Sequence, residues 1–431
     1  MDTLAEFPGP KIAAASEFYE FYYDVIKGGQ YLYKTEEMHR KSDHPNQPSE
    51  IVINDPSFYN EVYVTANTRR TTIWPRHRAG IGVDGYHIMT KDHDLHRRRR
   101  NPLEPFFSRL GASSVLIMYS LQFAGDVIGK ICCENPPLMM AREEFGKEWH
   151  NFIKRIITKT LLFTHIPQLA YLTRLAPTSF LYRFDPSVVG FNEYRKMMTQ
   201  YIRQSKNESL DQRVDEKPTL SRYIATSDMP TSEQSVDRLS REAMILFGGA
   251  AATTPHALAL ISYHILNNPK IEARLKEDLT PFMLDFPKHL PKWTDLEGLP
   301  YLQAVIKDGL RLSYSLMRRL PRAYSLHTNF EVYPNPFKFI PERWLGDYDP
   351  GMNESWVPFS RGPRKCLGYN LALAEINWAL VVLFRPNGPK LSLYETNESD
   401  ITPARDFLLP LPRAGSRGCR RVWNESMQWL L

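Results

Sequence analysis

The sequence predicts a mainly α fold with a small β region. Three observations carry this. Apolar residues recur at spacings of three and four through the middle of the chain, and one long apolar stretch runs from Met244 to Leu266. Strand patterns are confined to Ile51 to Asn54, just before the Asp55-Pro56 turn, and to Lys390 to Tyr394.

In chain order the spacing predicts helices over Asp92 to Phe107, Ser113 to Cys132, Glu143 to Thr164 and Gly190 to Lys206. Further helices are predicted over Ser235 to Asn268, Lys270 to Leu279, Tyr301 to Leu312 and Leu367 to Leu383. The helix that contains Met244 to Leu266 also holds Thr253, Thr254, Pro255 and His256, so it reads as a buried central helix and not as a membrane span. Proline-rich segments, Tyr333 to Arg343 and Trp356 to Pro363, break the helical pattern before the last long helix.

Composition narrows the class without naming a function. Aromatic residues at 12% and 33 prolines in 431 residues argue against disorder, and 42% hydrophobic residues suffice for a sizeable core. The net charge of +6 suits nucleic acid, an anionic membrane or an acidic protein equally well. Four cysteines, Cys132, Cys133, Cys366 and Cys419, show neither zinc spacing nor a disulfide framework, which points to free thiols in a reducing compartment. The N-terminus has no basic region followed by an apolar run, so neither a signal peptide nor a transmembrane anchor is read there.

The chemistry concentrates in Phe359-Ser-Arg-Gly362-Pro-Arg364-Lys-Cys366-Leu-Gly368. Glycine allows tight turns and close approach of a flat ligand, and the free amides of the helix that follows would stabilise a thiolate at Cys366. Such a thiolate is a suitable axial ligand for haem iron.

This segment resembles the haem-binding signature of the cytochrome P450 family, Phe-x-x-Gly-x-Arg-x-Cys-x-Gly, with every fixed position filled. The resemblance implies the family fold as a single domain over residues 1–431, with haem b between the long central helix and the cysteine loop. It makes Cys366 the iron ligand, pairs Arg364 with a haem propionate, sets Phe359 beside the sulfur, and gives Gly362 and Gly368 the turns that shape the loop. His93-Asp-Leu-His96-Arg97-Arg98-Arg99-Arg100 is similar to the family's helix that binds a propionate, with His96 where tryptophan is usual and Arg100 at the propionate position. The central segment Gly248-Gly249-Ala250-Ala251-Ala252-Thr253-Thr254-Pro255 resembles the oxygen-activating helix. There Thr253 matches the threonine that helps deliver protons, and its neighbour Thr254 also fits the pattern.

Three departures from the family stand out. Ala252 replaces the usual acid, and a methyl group cannot relay a proton. Asp308 takes the glutamate place in the Glu-x-x-Arg motif, which here reads Asp308-Gly-Leu-Arg311; it should join Arg343 of Pro341-Glu-Arg343-Trp344 in a buried charge cluster. One methylene less shortens its reach by about 1.5 Å, which predicts weaker folding or haem retention. After Arg322 the chain is short by about thirty residues relative to the family, whose members carry there strands and a loop beside the haem.

The outer segments, Phe7-Pro-Gly-Pro-Lys and Phe407-Leu-Leu-Pro-Leu-Pro-Arg, look like fungal secondary-metabolism members, the trichodiene-oxygenase-like group in particular. The implied reaction is oxidation of a small apolar terpenoid or polyketide intermediate with O2 and electrons from an NADPH-dependent reductase. The implied location is the cytoplasmic side of the endoplasmic reticulum, with membrane contact peripheral and no nucleic-acid partner. Arg361 and Lys365 would help dock the acidic reductase. Other readings stay open: a thiolate-haem isomerase or dehydratase, a non-catalytic remnant, and a basic helical nucleic-acid binder resting on the arginine run.

Overall fold

Helices form wherever the three-and-four spacing is sustained. The computed structural model describes residues 10–41, 55–63, 72, 85–109, 124–132, 145–184, 187–208, 219–225, 227, 229–314, 316–317 and 323–423. The main helices are α1 (Tyr31–His39), α2 (His93–Arg100), α3 (Ala124–Cys132), α4 (Phe145–His165), α5 (Pro167–Leu175) and α6 (Thr178–Phe184). They continue with α7 (Ser187–Glu208), α8 (Val236–Leu266), α9 (Pro269–Met283), α10 (Pro300–Ser313), α11 (Ala323–His327) and α12 (Tyr369–Phe384). The expected strand Ile51 to Asn54, residues 113–123 of an expected helix, and Arg319 to Arg322 lie outside the described residues.

The chain forms two compact units. One comprises Met1–Thr65, His256–Lys365 and Ile376–Leu431; the other comprises Ala66–Pro255 and Cys366–Glu375.

In the first unit, α10 has eleven of its fourteen residues inside, and α11 has all five. Its Gly309 is required by packing, because a Cβ there would fall 2.2 Å from Cγ1 of Ile261. Leu32, Leu260, Leu312, Tyr314, Met317 and Tyr324 form one apolar cluster of this unit, and Ala304, Tyr333, Trp344 and Met352 another. Fully burying each large apolar side chain contributes about 1.5–3 kcal/mol. The β region is two antiparallel pairs. β1 (Leu391–Leu393) pairs with β4 (Arg421–Trp423), and β2 (Arg405–Phe407) turns directly into β3 (Leu409–Leu411) through Leu408 at φ +78°. Gly29, at φ +78°, lets the backbone touch β2: Asp406 donates its N–H to the Gly29 carbonyl at 2.8 Å, and a Cβ on Gly29 would sit 2.5 Å from the Asp406 carbonyl oxygen.

In the second unit, Tyr194 of α7 donates its hydroxyl to the Met244 carbonyl of α8 at 2.7 Å, and its ring meets Phe152 and Phe247. Helix α2 starts where Asp92 accepts the Leu95 N–H at 2.7 Å, and ends in four arginines that suit the negative end of the helix dipole. It stops short of the expected Phe107, because Pro102 and Pro105 have no N–H to continue the ladder.

A buried charge chain crosses this unit. Arg99 grips Glu233 through two bonds of 2.8 and 2.7 Å, Arg238 links Glu233 to Glu242, and Glu242 accepts from the His87 N–H at 3.1 Å and meets the ring Nδ1. Burial alone would raise the Glu242 carboxyl, but His87 and Arg238 outweigh it and hold the group down at about 2.

Candidate active site

Pro255 lies inside α8 and cannot donate to the Ala251 carbonyl, yet the helix runs on through it. Two residues earlier, the Thr253 hydroxyl donates to the Gly249 carbonyl one turn back at 2.8 Å. Gly249 is exposed, and nothing lies within 4 Å of where a Cβ would be, so this stretch of α8 borders open space. Thr254 points elsewhere: it is buried and its hydroxyl acts on Glu375 of α12, within the same unit.

Cys366 stands three residues before α12, two later than the predicted helix start. The thiol is reachable by solvent, yet enough protein surrounds it for burial to raise its pKa above the usual value. The Gly368 N–H and the charge of Arg100 pull the other way and lose. The sequence suggested that helix amides would leave an anion here. A bound cation would act in the same direction as the Gly368 N–H and Arg100 and favour the thiolate.

Helix α2 supplies the neighbouring charge. His96 and Arg100, one turn apart, are both buried, whereas Arg97 and Arg98 are exposed, so the arginine run divides between faces. Arg100 donates from Nε to Glu104 at 2.9 Å, and Asn370 of α12 donates to the Phe107 carbonyl at 2.9 Å. The second unit therefore contains Cys366, Gly368, His96, Arg100, Thr253 and Thr254, and sets the Gly368 N–H and the Arg100 charge on Cys366.

The first unit holds the loop leading to the cysteine. Ser360 and Gly362 adopt φ of +59° and +68°, and the Gly362 carbonyl accepts from Lys365 at 3.1 Å. Phe359 packs edge-on against Trp356 with centroids 6.4 Å apart, and Arg364 is half-buried. Arg361 is half-buried, bonds Asn60 and donates to the Asn353 carbonyl at 2.9 Å. Lys365 is exposed.

The same unit contains the charge cluster. Asp308 Oδ1 accepts from Arg311 Nε at 2.8 Å and from the Trp344 indole at 3.1 Å, and lies 3.2 Å from Arg343 Nε, an ion pair without hydrogen-bond alignment. Its Oδ2 accepts the Ile340 N–H at 2.6 Å. The shorter acid therefore reaches every partner. Trp344 supplies the indole N–H that one of these bonds needs. Arg311 also donates to the carbonyls of His327, Pro336 and Lys338, tying down the segment before the cysteine loop.

His327 extends this knot and was missed from sequence. Fully buried, it donates from Nδ1 to the Arg311 carbonyl at 2.9 Å and accepts the Val357 N–H on Nε2 at 3.0 Å. Burial, helped by the Arg311 charge, holds its pKa down at about 3, so the ring is neutral and its tautomer is set. Glu375 was missed too, although a lone acid in the apolar run of α12 was a signal.

Comparison with known proteins decides the family. The Cytochrome P450 family profile matches residues 111–325 and 320–410. A cytochrome P450 monooxygenase of Aspergillus flavipes is 49% identical, over 85% of this chain and 90% of its own. The chain belongs to the cytochrome P450 family.

Stellatic acid synthase of Emericella variicolor is 42% identical over 97% of this chain and 90% of its own, and the fusicoccadiene C-8 hydroxylase of Phomopsis amygdali is 38% identical over 97% and 91%. A crystal structure of another cytochrome P450 matches with a TM-score of 0.66 at 14% identity, covering 91% of this chain and 95% of that one, which shows the shared fold. The chain is thus a P450 oxidoreductase of the fungal secondary-metabolism type. The two profile matches meet at 320–325, where the sequence pattern placed the shortening after Arg322. The alignment to stellatic acid synthase spans 500 positions against 431 residues here, so that relative carries segments this P450 lacks.

Family membership implies haem b and a reductase partner, and the residues present fit the cofactor. A soft sulfur ligand opens to solvent, glycine leaves space along α8, and the buried cation Arg100 acts on the sulfur. Among the described residues, α8 is the one helix long and apolar enough to cross a membrane, and half of its most apolar stretch is buried.

Proposed function

We propose that this P450 hydroxylates, or otherwise oxidises at carbon, an apolar terpenoid in a biosynthetic pathway. The observation that carries the reading is the Cys366 thiol, in a complete family signature, set in one unit with the Gly249 to Thr254 stretch of α8. Haem, when bound, supplies the oxygen and electron chemistry. Cys366 would hold the iron, with Gly362 and Gly368 shaping the loop around it. Arg364, Arg100 and His96 would bind the propionates, and Phe359 would cover the sulfur side. Thr253, anchored on the Gly249 carbonyl, and Thr254 would handle protons. Asp308, Arg311 and Arg343 would hold the loop in place.

The terpenoid class follows from the relatives, since the hydroxylase of Phomopsis amygdali acts by its name on fusicoccadiene at C-8. The outer segments support placement near the trichodiene-oxygenase-like group. The family profile draws on both compact units, which supports one domain over the whole chain. Location at the cytoplasmic face of the endoplasmic reticulum, with peripheral membrane contact, is supported by the exposed Tyr171, Leu172, Leu175, Phe180 and Tyr182 on α5 and α6.

The test is reconstitution with an NADPH-cytochrome P450 reductase and fusicoccadiene or a related apolar diene. The expected outcome is NADPH-dependent O2 uptake with a product heavier by one oxygen. Conversion of a terpenoid without NADPH or O2 would favour the isomerase or dehydratase reading that Ala252 invites.

A further inference from the structure

The open stripe of α8 ends at a buried imidazole. Glu242, Ile245, Gly249 and Ala252 follow one another at spacings of three, four and three, so they share one face of the helix. Gly249 is exposed, and Ile245 and Ala252 are half-buried. Glu242, about 10 Å along the axis from Gly249, is only 2% exposed, because His87 covers it. The His87 backbone N–H donates to Glu242 Oε2 at 3.1 Å, and its ring Nδ1 meets Oε1. Arg238 lies 2.6 Å from the same Oε2 and holds the carboxylate from the other side.

The second ring nitrogen, Nε2, forms no hydrogen bond with the described residues. The His87 ring also lies 6.2 Å from that of His96, so it stands beside both the open face of α8 and the helix assigned to the cofactor. An imidazole fixed by a carboxylate through one nitrogen, with the other left over, is built to hold a ligand in one orientation.

Packing does not account for this arrangement. The buried chain from Arg99 through Glu233, Arg238 and Glu242 to His87 is costly to desolvate, and well-packed apolar residues would join α8 to the 86–90 segment as firmly. What the chain supplies is a polar group at a fixed place. Between Glu242 and Thr253 no residue of α8 has a polar side chain, and the Thr253 hydroxyl is committed to the Gly249 carbonyl. A ligand lying along this face therefore meets an apolar wall with His87 at its end.

We propose that His87 is a substrate-binding residue that takes the hydroxyl group of a terpenoid alcohol, with Glu242 as its positioning residue. This rests on the monooxygenase reading above and narrows the apolar terpenoid to one that already carries an oxygen, at the end away from Gly249 and Thr253. An alcohol O–H both donates and accepts, so it pairs with Nε2 whether or not that nitrogen carries a proton. An earlier oxygen-inserting or water-adding reaction supplies such a substrate.

The test is titration of the purified haem-loaded chain with geranylgeraniol and with the C20 hydrocarbon that lacks its hydroxyl, followed by the change in haem absorption as the ligand enters. Both are flexible chains, so the hydroxyl can reach His87 wherever the tail lies. Without a polar contact the hydrocarbon, being the more apolar, binds the tighter. The expected result is that the wild type binds the alcohol about tenfold more tightly, the size of one buried hydrogen bond. In His87→Phe the order reverses while the thiolate-type carbon-monoxide band stays. In Glu242→Leu the alcohol loses about tenfold and the hydrocarbon keeps its affinity, whereas a purely structural role would weaken both.

A wild type that binds the hydrocarbon as tightly as the alcohol, or responds to neither, overturns the proposal. So does a His87→Phe chain that keeps the preference for the alcohol. If a single variant does not fold, the double variant His87→Phe/Glu242→Leu leaves no stranded carboxylate, and a preference retained there overturns the proposal. Loss of the thiolate-type carbon-monoxide band in the wild type would instead sink the monooxygenase reading, so the two failures are separable.

Discussion

Replacing Asp308 with alanine tests the charge knot beneath the cysteine loop. The substitution removes acceptors for Arg311 Nε, the Trp344 indole and the Ile340 N–H, together with the 3.2 Å ion pair to Arg343. Each bond to a charged acceptor is worth about 1.5–3 kcal/mol, but such bonds are not additive. Breaking a buried pair and stranding the other charge costs about 3–5 kcal/mol. Here Arg311 is stranded with no exposure at all, so a loss of about 4 kcal/mol is expected. That is a large share of the roughly 5–15 kcal/mol that holds a protein folded. Urea unfolding followed by tryptophan fluorescence reads it as a lower midpoint at unchanged slope. The longer Asp308→Glu should cost about 1–3 kcal/mol by overpacking against the indole, and Trp344→Phe should relieve that cost in the double variant. A loss below about 1 kcal/mol in Asp308→Ala would refute the reasoning. So would an Asp308→Glu penalty that is the same in both backgrounds.

Two further predictions concern pH. His327 has a folded pKa of about 3, below its ordinary 6.5, so its share of stability is complete above pH 6.5 and is lost as pH falls from 6.5 toward 3. Unfolding free energy should fall by up to about 1.4 kcal/mol per pH unit in that window, and His327→Asn should flatten the slope; an unchanged slope would remove His327 from the account. Glu375 has the opposite consequence: its folded pKa of about 8 lies above the ordinary 4.5, so stability declines as pH rises from 4.5 to 8. Glu375→Gln should match the wild type at pH 4 and exceed it by roughly 3 kcal/mol at pH 7, measured by chemical denaturation; equal stability at both pH values would contradict a buried neutral acid.

The helices were legible because periodicity is local. The predicted Ser235 to Asn268 became Val236–Leu266, and Tyr301 to Leu312 became Pro300–Ser313. The cysteine loop was legible because a fixed spacing of glycine, arginine and cysteine carries its own geometry. What escaped depended on contacts between distant positions. Asp308 looked too short until Trp344, thirty-six residues on, proved to donate to it. His327 carries no sequence signal, because its two nitrogens bond Arg311, sixteen residues before it, and Val357, thirty residues after it. The β2–β3 hairpin, 405–411, was missed because its turn is the single residue Leu408 and not a glycine or asparagine.

The most direct test of haem-thiolate chemistry at Cys366 is the absorption spectrum of the reduced, carbon-monoxide-bound protein, recorded beside Cys366→Ser. The account predicts a main haem band shifted to the red, as sulfur ligation requires, and its loss in the serine variant. A wild type without haem, a band of the imidazole type, or an unchanged spectrum in Cys366→Ser would contradict it.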